Sequence, residues 1–169
     1  MEAASDTTVL DADNVQGVGL AGFRKDHQEM LFVRFKDAKS GRKLLKHLEP
    51  NVATHREVRT FNELFSEIRG RRGKEVIEAT WMAVMLSASG YQQLEADLAG
   101  LPEGEGKTAF LEGMARRAEQ IGDTRESDAP SNWKTDFRPD APGIHALIIL
   151  AADRVDDLER HLDEVRQRI

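Results

Sequence analysis

The chain has 169 residues, 40% hydrophobic and 32% charged, a size and balance suited to a folded domain with its own core and unlike those of disordered or fibrous chains. Acidic side chains outnumber basic ones, 30 to 24, and the net charge of −6 argues against general nucleic-acid binding, which needs a surplus of Lys and Arg on one face. With no cysteine, the chain has no disulfide, thiolate nucleophile, Cys-ligated zinc, iron–sulfur cluster or thiolate-bound haem.

The opening Met1-Glu2-Ala3-Ala4-Ser5-Asp6 lacks the basic start and apolar run of a signal peptide, and no apolar stretch reaches the length of a membrane span. A cytoplasmic protein without a membrane partner is expected. Residues 1–13 are small, polar and acidic without periodicity and read as a flexible lead-in, so the folded domain is expected over 14–169. Residues 29–36, Glu-Met-Leu-Phe-Val-Arg-Phe-Lys, form the first predicted strand. Asp37 is the N-cap of a following helix whose Leu44, Leu45 and Leu48 share a face, and Pro50 ends it.

Residues 52–59 read as a short edge strand, followed by a helix with Phe61, Leu64, Phe65 and Ile68 at i, i+3, i+4, i+7. Arg69-Gly70-Arg71-Arg72-Gly73-Lys74 has the composition of an exposed basic loop, able to meet an anion or a partner but most simply solvated. Residues 76–86 are the next strand, with Trp81 in a largely apolar run. Ser87 or Ser89 caps a helix reaching about Leu98. A second helix is predicted over 107–120, with Phe110, Leu111, Met114, Ala115, Ala118 and Ile121 as one apolar stripe and Gly122 as terminator. Glu112 and Arg116 stand at i, i+4 on it as an exposed pair of small energetic weight.

Ser, Asp, Asn and Pro then mark a long loop over 123–143, anchored by Trp133. The last strand covers 144–152, and from Asp153 a helix places Val155, Leu158, Leu162, Val165 and Ile169 at steps of three and four. This order predicts an α+β, ferredoxin-like fold, an antiparallel sheet with helices packed mainly on one face.

A series of short motifs appears along this framework. Asp13-Asn14-Val15-Gln16-Gly17 is followed by Gly22-Phe23 and His27; then come Leu86-Ser87-Ala88-Ser89-Gly90-Tyr91-Gln92-Gln93-Leu94, Phe110 to Ala118 with Ile121-Gly122-Asp123, Asn132-Trp133, and Ile144-His145-Ala146-Leu147 with Ala151-Ala152-Asp153. In this order they resemble the N-terminal half of dye-decolourising (Dyp-type) haem peroxidases. Residues 52–74 depart from the pattern and read as an insertion. The resemblance implies a two-half protein in which haem, held by a proximal His of the C-terminal half, is oxidised by hydrogen peroxide before dyes or other donors are consumed. A distal Asp and a neighbouring Arg would move the proton and stabilise charge there.

The distal Asp of that family lies in a motif running from Gly-Phe to Asp-Gly, beyond the N-terminal half. Gly22-Phe23-Arg24-Lys25-Asp26 imitates it, but His27 stands where the motif has Gly and the segment precedes the first strand, so it reads as a turn. No catalytic or metal-binding residue is therefore assigned, cofactor-binding residues are unknown, and no haem is expected on this chain alone. His145, at the head of an apolar strand, is the most tempting iron ligand, against the more ordinary role of a hydrogen-bonded strand-end histidine. His27, His47, His55 and His161 read as solvated. Trp81, Tyr91 and Trp133 are candidates for relaying electrons to bulky donors, with Trp81 assigned first to core packing. The expected partners are a haem-bearing C-terminal half or a second copy. The alternatives are a non-enzymatic ferredoxin-like module for dimerisation or partner binding and, further off, a dimer enclosing a small ligand between sheets.

Overall fold

The computed structural model describes residues 11–20, 22–72 and 77–169. Three strands, β1 (His27–Val33), β2 (Thr80–Leu86) and β3 (Ala146–Ala152), form a sheet in the order β1-β3-β2. The His145 N–H donates to the Val33 carbonyl at 2.9 Å and the Ser87 N–H to the His145 carbonyl at 3.1 Å, so the head of β3 meets the ends of β1 and β2 and the sheet is antiparallel. In β3 every residue except half-buried Leu147 is buried, which is why its apolar run is unbroken: both faces of the central strand are covered. The expected α+β, ferredoxin-like class is the one found.

The helices are α1 (Gly17–Leu20), α2 (Ala38–Leu48), α3 (His55–Arg72), α4 (Ala88–Gln93), α5 (Glu105–Arg116), α6 (Ala118–Ile121) and α7 (Val155–Arg166). The edge strand expected over 52–59 is not formed. Val52 makes only an isolated parallel bridge to Met82, because Thr54 and Glu57 build a capping box that starts α3 at His55. The Thr54 N–H donates to Glu57 Oε2 at 2.8 Å and the Glu57 N–H to Thr54 Oγ1 at 3.3 Å. Nor is Arg69–Arg72 a loop: it is the last turn of α3, where Arg71 pairs with Glu67 one turn back at 2.6 Å. Gly73 and Lys74 lie outside the described residues.

Two compact units divide the chain. The first comprises the described residues of Met1–Glu29, Asn51–Ala83 and Ile149–Glu164. In it α1 packs on α3, and Phe23, Ala53, Val58, Met82, Ala83 and the second half of β3 are buried with Leu158 and Leu162 of α7. The Gly17 N–H reaches the Ala53 carbonyl at 2.8 Å and the His55 N–H the Val15 carbonyl at 2.7 Å, tying residues 15–17 to the start of α3. Val155, counted in the apolar stripe of α7, is exposed.

The second unit comprises Met30–Pro50, Val84–Ile148 and Val165–Ile169. Asp37 caps α2 as expected, accepting from the Ser40 N–H at 2.7 Å, and Leu44 and Leu48 are buried. Ser87 caps α4, which stops at Gln93 instead of reaching Leu98. The Leu94 carbonyl that a further turn would use accepts from Arg42 Nε at 3.1 Å and Nη2 at 2.5 Å. The single helix expected over 107–120 is broken at Gly113, whose φ of 72° and ψ of 172° suit a residue without Cβ. That break scatters the predicted stripe, leaving Leu111, Met114 and Ile121 exposed, while Gly122 ends α6 as expected. The 123–143 loop is folded into short 3-10 turns, with the Trp133 indole N–H donating to the Asp128 carbonyl at 3.0 Å.

Candidate functional site

The second unit is organised around His145. Its ring is buried, and Nδ1 accepts the Phe35 backbone N–H at 2.9 Å, so the neutral ring carries its hydrogen on Nε2. This bond explains why β1 ends at Val33 instead of reaching Lys36: the Phe35 N–H is satisfied by a side chain. Burial, and secondly the positive charge of Arg34, holds the imidazole below its ordinary pKa. The Phe35 ring lies 5.5 Å from the imidazole centroid. The backbone of His145 is equally engaged, since its carbonyl accepts the Ser87 N–H and Gly90 packs directly against it. The residue that most resembled an iron ligand is thus a hydrogen-bonded histidine at a strand end.

The other four histidines are dispersed. His27 opens β1 and is exposed, and His47 is exposed in the last turn of α2. His161 on α7 lies with Nδ1 3.4 Å from Glu164 Oε2. His55 departs from the solvated expectation: it is the first residue of α3, and its Nδ1 is buried without a hydrogen-bond partner. Among the described residues no group of three or more His, Asp or Glu side chains could hold a metal ion.

In the first unit the segment Gly22–Asp26 runs into β1 as irregular chain with a bend at Asp26 instead of the expected turn, with Phe23 buried and Asp26 exposed. Its important residue is Lys25, which the sequence did not single out. The side chain is 3% exposed, and Nζ sits 2.5 Å from Asp153 Oδ2 and 4.1 Å from the centroid of the Phe61 ring. Asp153 also accepts the Ala79 N–H at 2.8 Å. Trp81 stands edge-on to Phe61 at 5.4 Å, its ring 5.6 Å from Lys25 Nζ, which gives it the packing role expected. Local sequence holds no signal for this cluster, because Lys25 and Asp153 are 128 residues apart.

Tyr91 and Trp133 are half-buried. Tyr91 lies edge-on to Phe110 at 6.0 Å and lines a cavity of about 460 Å³ with Leu86, Leu101, Pro102 and Phe110. Glu103 and Lys107, paired at 2.5 Å, complete the polar part of that lining. Glu112 binds Arg117 at 3.3 Å instead of Arg116, since the break at Gly113 changes the helical register between them. A second cavity, of about 390 Å³, is lined by residues of 33–47 and 167–169. No described helix is long and apolar enough to cross a membrane.

A family model described as the DyP dimeric alpha+beta barrel domain matches residues 14–169, the stretch 52–74 included. An ancestral D-type dye-decolorizing peroxidase is 26% identical with a TM-score of 0.76, the match covering 94% of this chain and 31% of that one. A DyP-type peroxidase from Anabaena sp. is 20% identical with a TM-score of 0.71, over 93% of this chain and 31% of its own. DyP2 from an Amycolatopsis species is 21% identical with a TM-score of 0.71, over 94% and 30%. The last two likenesses show a shared fold. The chain therefore spans about a third of the length of each of these proteins. No curated protein matches it in sequence.

Proposed function

The chain belongs to the DyP dimeric alpha+beta barrel domain family, and we propose that it supplies the N-terminal half of a haem peroxidase that oxidises dyes or other donors with hydrogen peroxide. The observation that carries this reading is the coverage: nearly all of this chain matches one third of an ancestral D-type dye-decolorizing peroxidase, leaving two thirds of that protein without a counterpart. In this reading the chain is a scaffold, and the iron ligand and the distal acid–base pair belong to a further domain.

Haem is the group the family implies, and the described side chains do not fit it. An axial histidine needs one ring nitrogen free for iron and the other held by an acceptor, beside an apolar slot. His145 instead uses Nδ1 as an acceptor for Phe35 and lines neither cavity. The apolar cavity beside Tyr91 has no histidine in its lining, and His47, which lines the other, stands among cations.

The test is a chimera in which residues 14–169 replace the matching third of the ancestral D-type peroxidase. A chimera that binds haem and oxidises a dye with peroxide supports the reading; one that folds with the recipient's remaining domain intact but loses haem refutes it. The chain alone, given hemin, peroxide and a dye, is expected to show no turnover. A Soret band with sustained dye loss that disappears in His145→Ala would overturn the assignment of chemistry to another domain.

A second reading, a partner-binding module without chemistry of its own, is favoured by β1. Met30 and Phe32 are 51% and 52% exposed, and the two-residue period of a strand puts both on one face. Sedimentation of the chain with and without Met30→Gln distinguishes this reading, which requires a self-association that the substitution weakens.

A further inference from the structure

The cavity of about 390 Å³ in the second unit has a charge pattern that the proposed scaffold role does not use. Arg34, Lys36, Lys43, His47 and Arg168 all line it, and no Asp or Glu does, in a chain where acids outnumber bases 30 to 24. Its buried members are the apolar Val33, Phe35 and Leu44.

Elsewhere the basic side chains are commonly neutralised within the chain, as in Arg59 with Glu63 at 2.8 Å, Lys107 with Glu103 at 2.5 Å and Arg117 with Glu105 at 3.1 Å. Around the cavity Arg34 is the one basic side chain with an ion pair among the described residues, to Asp136 at 3.1 Å. Lys43, His47 and Arg168 make no side-chain hydrogen bond or ion pair with the described residues. Gathering unpaired cations round one concave space raises the local potential, and low-dielectric walls below them strengthen it. Asp136 offsets Arg34 and the neighbouring Asp37 acts on Lys36, but no described Asp or Glu pairs with Lys43 or Arg168, so an external anion gains by meeting them.

The volume is that of a small-molecule pocket, large enough for a metabolite and larger than a single inorganic ion requires. The cations also come from two separated stretches, residues 34–43 and Arg168, so one ligand must present more than one anionic group to meet them all. We propose that this cavity binds a small organic anion carrying two or more carboxylate or phosphate groups.

The experiment titrates the full chain, labelled with nitrogen-15, with citrate, with pyrophosphate and with acetate at matched ionic strength. Citrate, pyrophosphate or both should produce saturable amide shifts at Lys43, His47 and Arg168, with acetate producing none that saturate. Saturation by citrate alone assigns a carboxylate ligand, by pyrophosphate alone a phosphate ligand, and by both the shared polyanion chemistry. The double substitution Lys43→Gln with Arg168→Gln should weaken binding by about tenfold or more, two charge-assisted contacts being lost. Both side chains are exposed, so the rest of the spectrum should be unchanged. The proposal is overturned if neither polyanion saturates by tens of millimolar, or if the double variant binds as tightly as the native chain.

Discussion

Replacing Gly90 by Ala tests the contact on which the His145 region depends. A Cβ built at residue 90 would lie 2.0 Å from the His145 carbonyl oxygen and 2.8 Å from its carbonyl carbon. Both are backbone atoms, so no side chain can swing aside. To restore ordinary contact near 3.4 Å, α4 must retreat by about 1.4 Å. That movement also strains the Ser87 N–H bond to the same oxygen, 3.1 Å long in the native chain, and the Ser87 Oγ cap on the Gly90 N–H at 3.0 Å. Overpacking of this kind together with one weakened buried hydrogen bond gives a loss of about 3 kcal/mol. Such a loss lowers the midpoint of thermal unfolding by about 10 °C in a chain of this size. Gly100→Ala is the internal control: nothing lies within 4 Å of its Cβ position, and its cost should stay within about 0.5 kcal/mol. Urea titrations followed by the fluorescence of Trp81 and Trp133 measure both. Equal stabilities of the two variants would refute the close approach of α4 to His145.

The Lys25–Asp153 pair gives an asymmetric prediction. Asp153→Asn leaves a nearly inaccessible ammonium without its counter-ion and should cost about 3 kcal/mol, whereas Lys25→Met keeps the stem against Phe61 and Trp81 and should cost clearly less. Denaturation of both single variants and the double variant checks this, and equal single costs would defeat it. His145 predicts the acid limb of stability. Because its pKa is lower folded than unfolded, the neutral form is the one the fold favours, so its contribution is complete above the unfolded value of about 6.5. It is lost as pH falls below that value and through the folded pKa. His145→Gln should flatten that part of the stability curve, and an imidazole proton resonance titrating at 6.5 or above would contradict the assignment.

The elements legible in the sequence are those whose signals are local. The unbroken run of β3, the Asp37 cap of α2 and the steps of four in α7 each follow from a few adjacent residues, and each was formed close to where it was expected. The misreadings arose where two local signals competed. Val52 and its neighbours have strand composition, but Thr54 and Glu57 carry a capping box that decides for helix. Arg69-Gly70-Arg71 has loop composition, yet the Arg71–Glu67 pair spans the glycine and belongs to a continuing helix. At Gly113 the helical period runs straight through a residue whose backbone has left the helix, which no periodicity can register. The Phe35–His145 and Lys25–Asp153 pairings, 110 and 128 residues apart, exist only in the folded chain.

Those long-range pairings also explain what the recurring motifs encode. Gly90 belongs to the Leu86–Leu94 motif and His145 to the Ile144–Leu147 motif, and in the fold the first packs on the carbonyl of the second. A side chain at residue 90 would drive α4 off the head of β3. An imidazole at residue 145 supplies the acceptor that the Phe35 N–H lacks once β1 has ended. Ser87 serves both, capping α4 through Oγ and donating its hydroxyl to the Ile144 carbonyl at 2.6 Å. Each of these residue types is required by backbone geometry at the place where two strands and a helix meet. Motifs built on such requirements identify a fold sharply, because each residue type in them answers to the backbone around it. The same reasoning separates the basic cavity from the fold: Lys43 and Arg168 satisfy no backbone group and complete no ion pair among the described residues, so packing does not account for their charge.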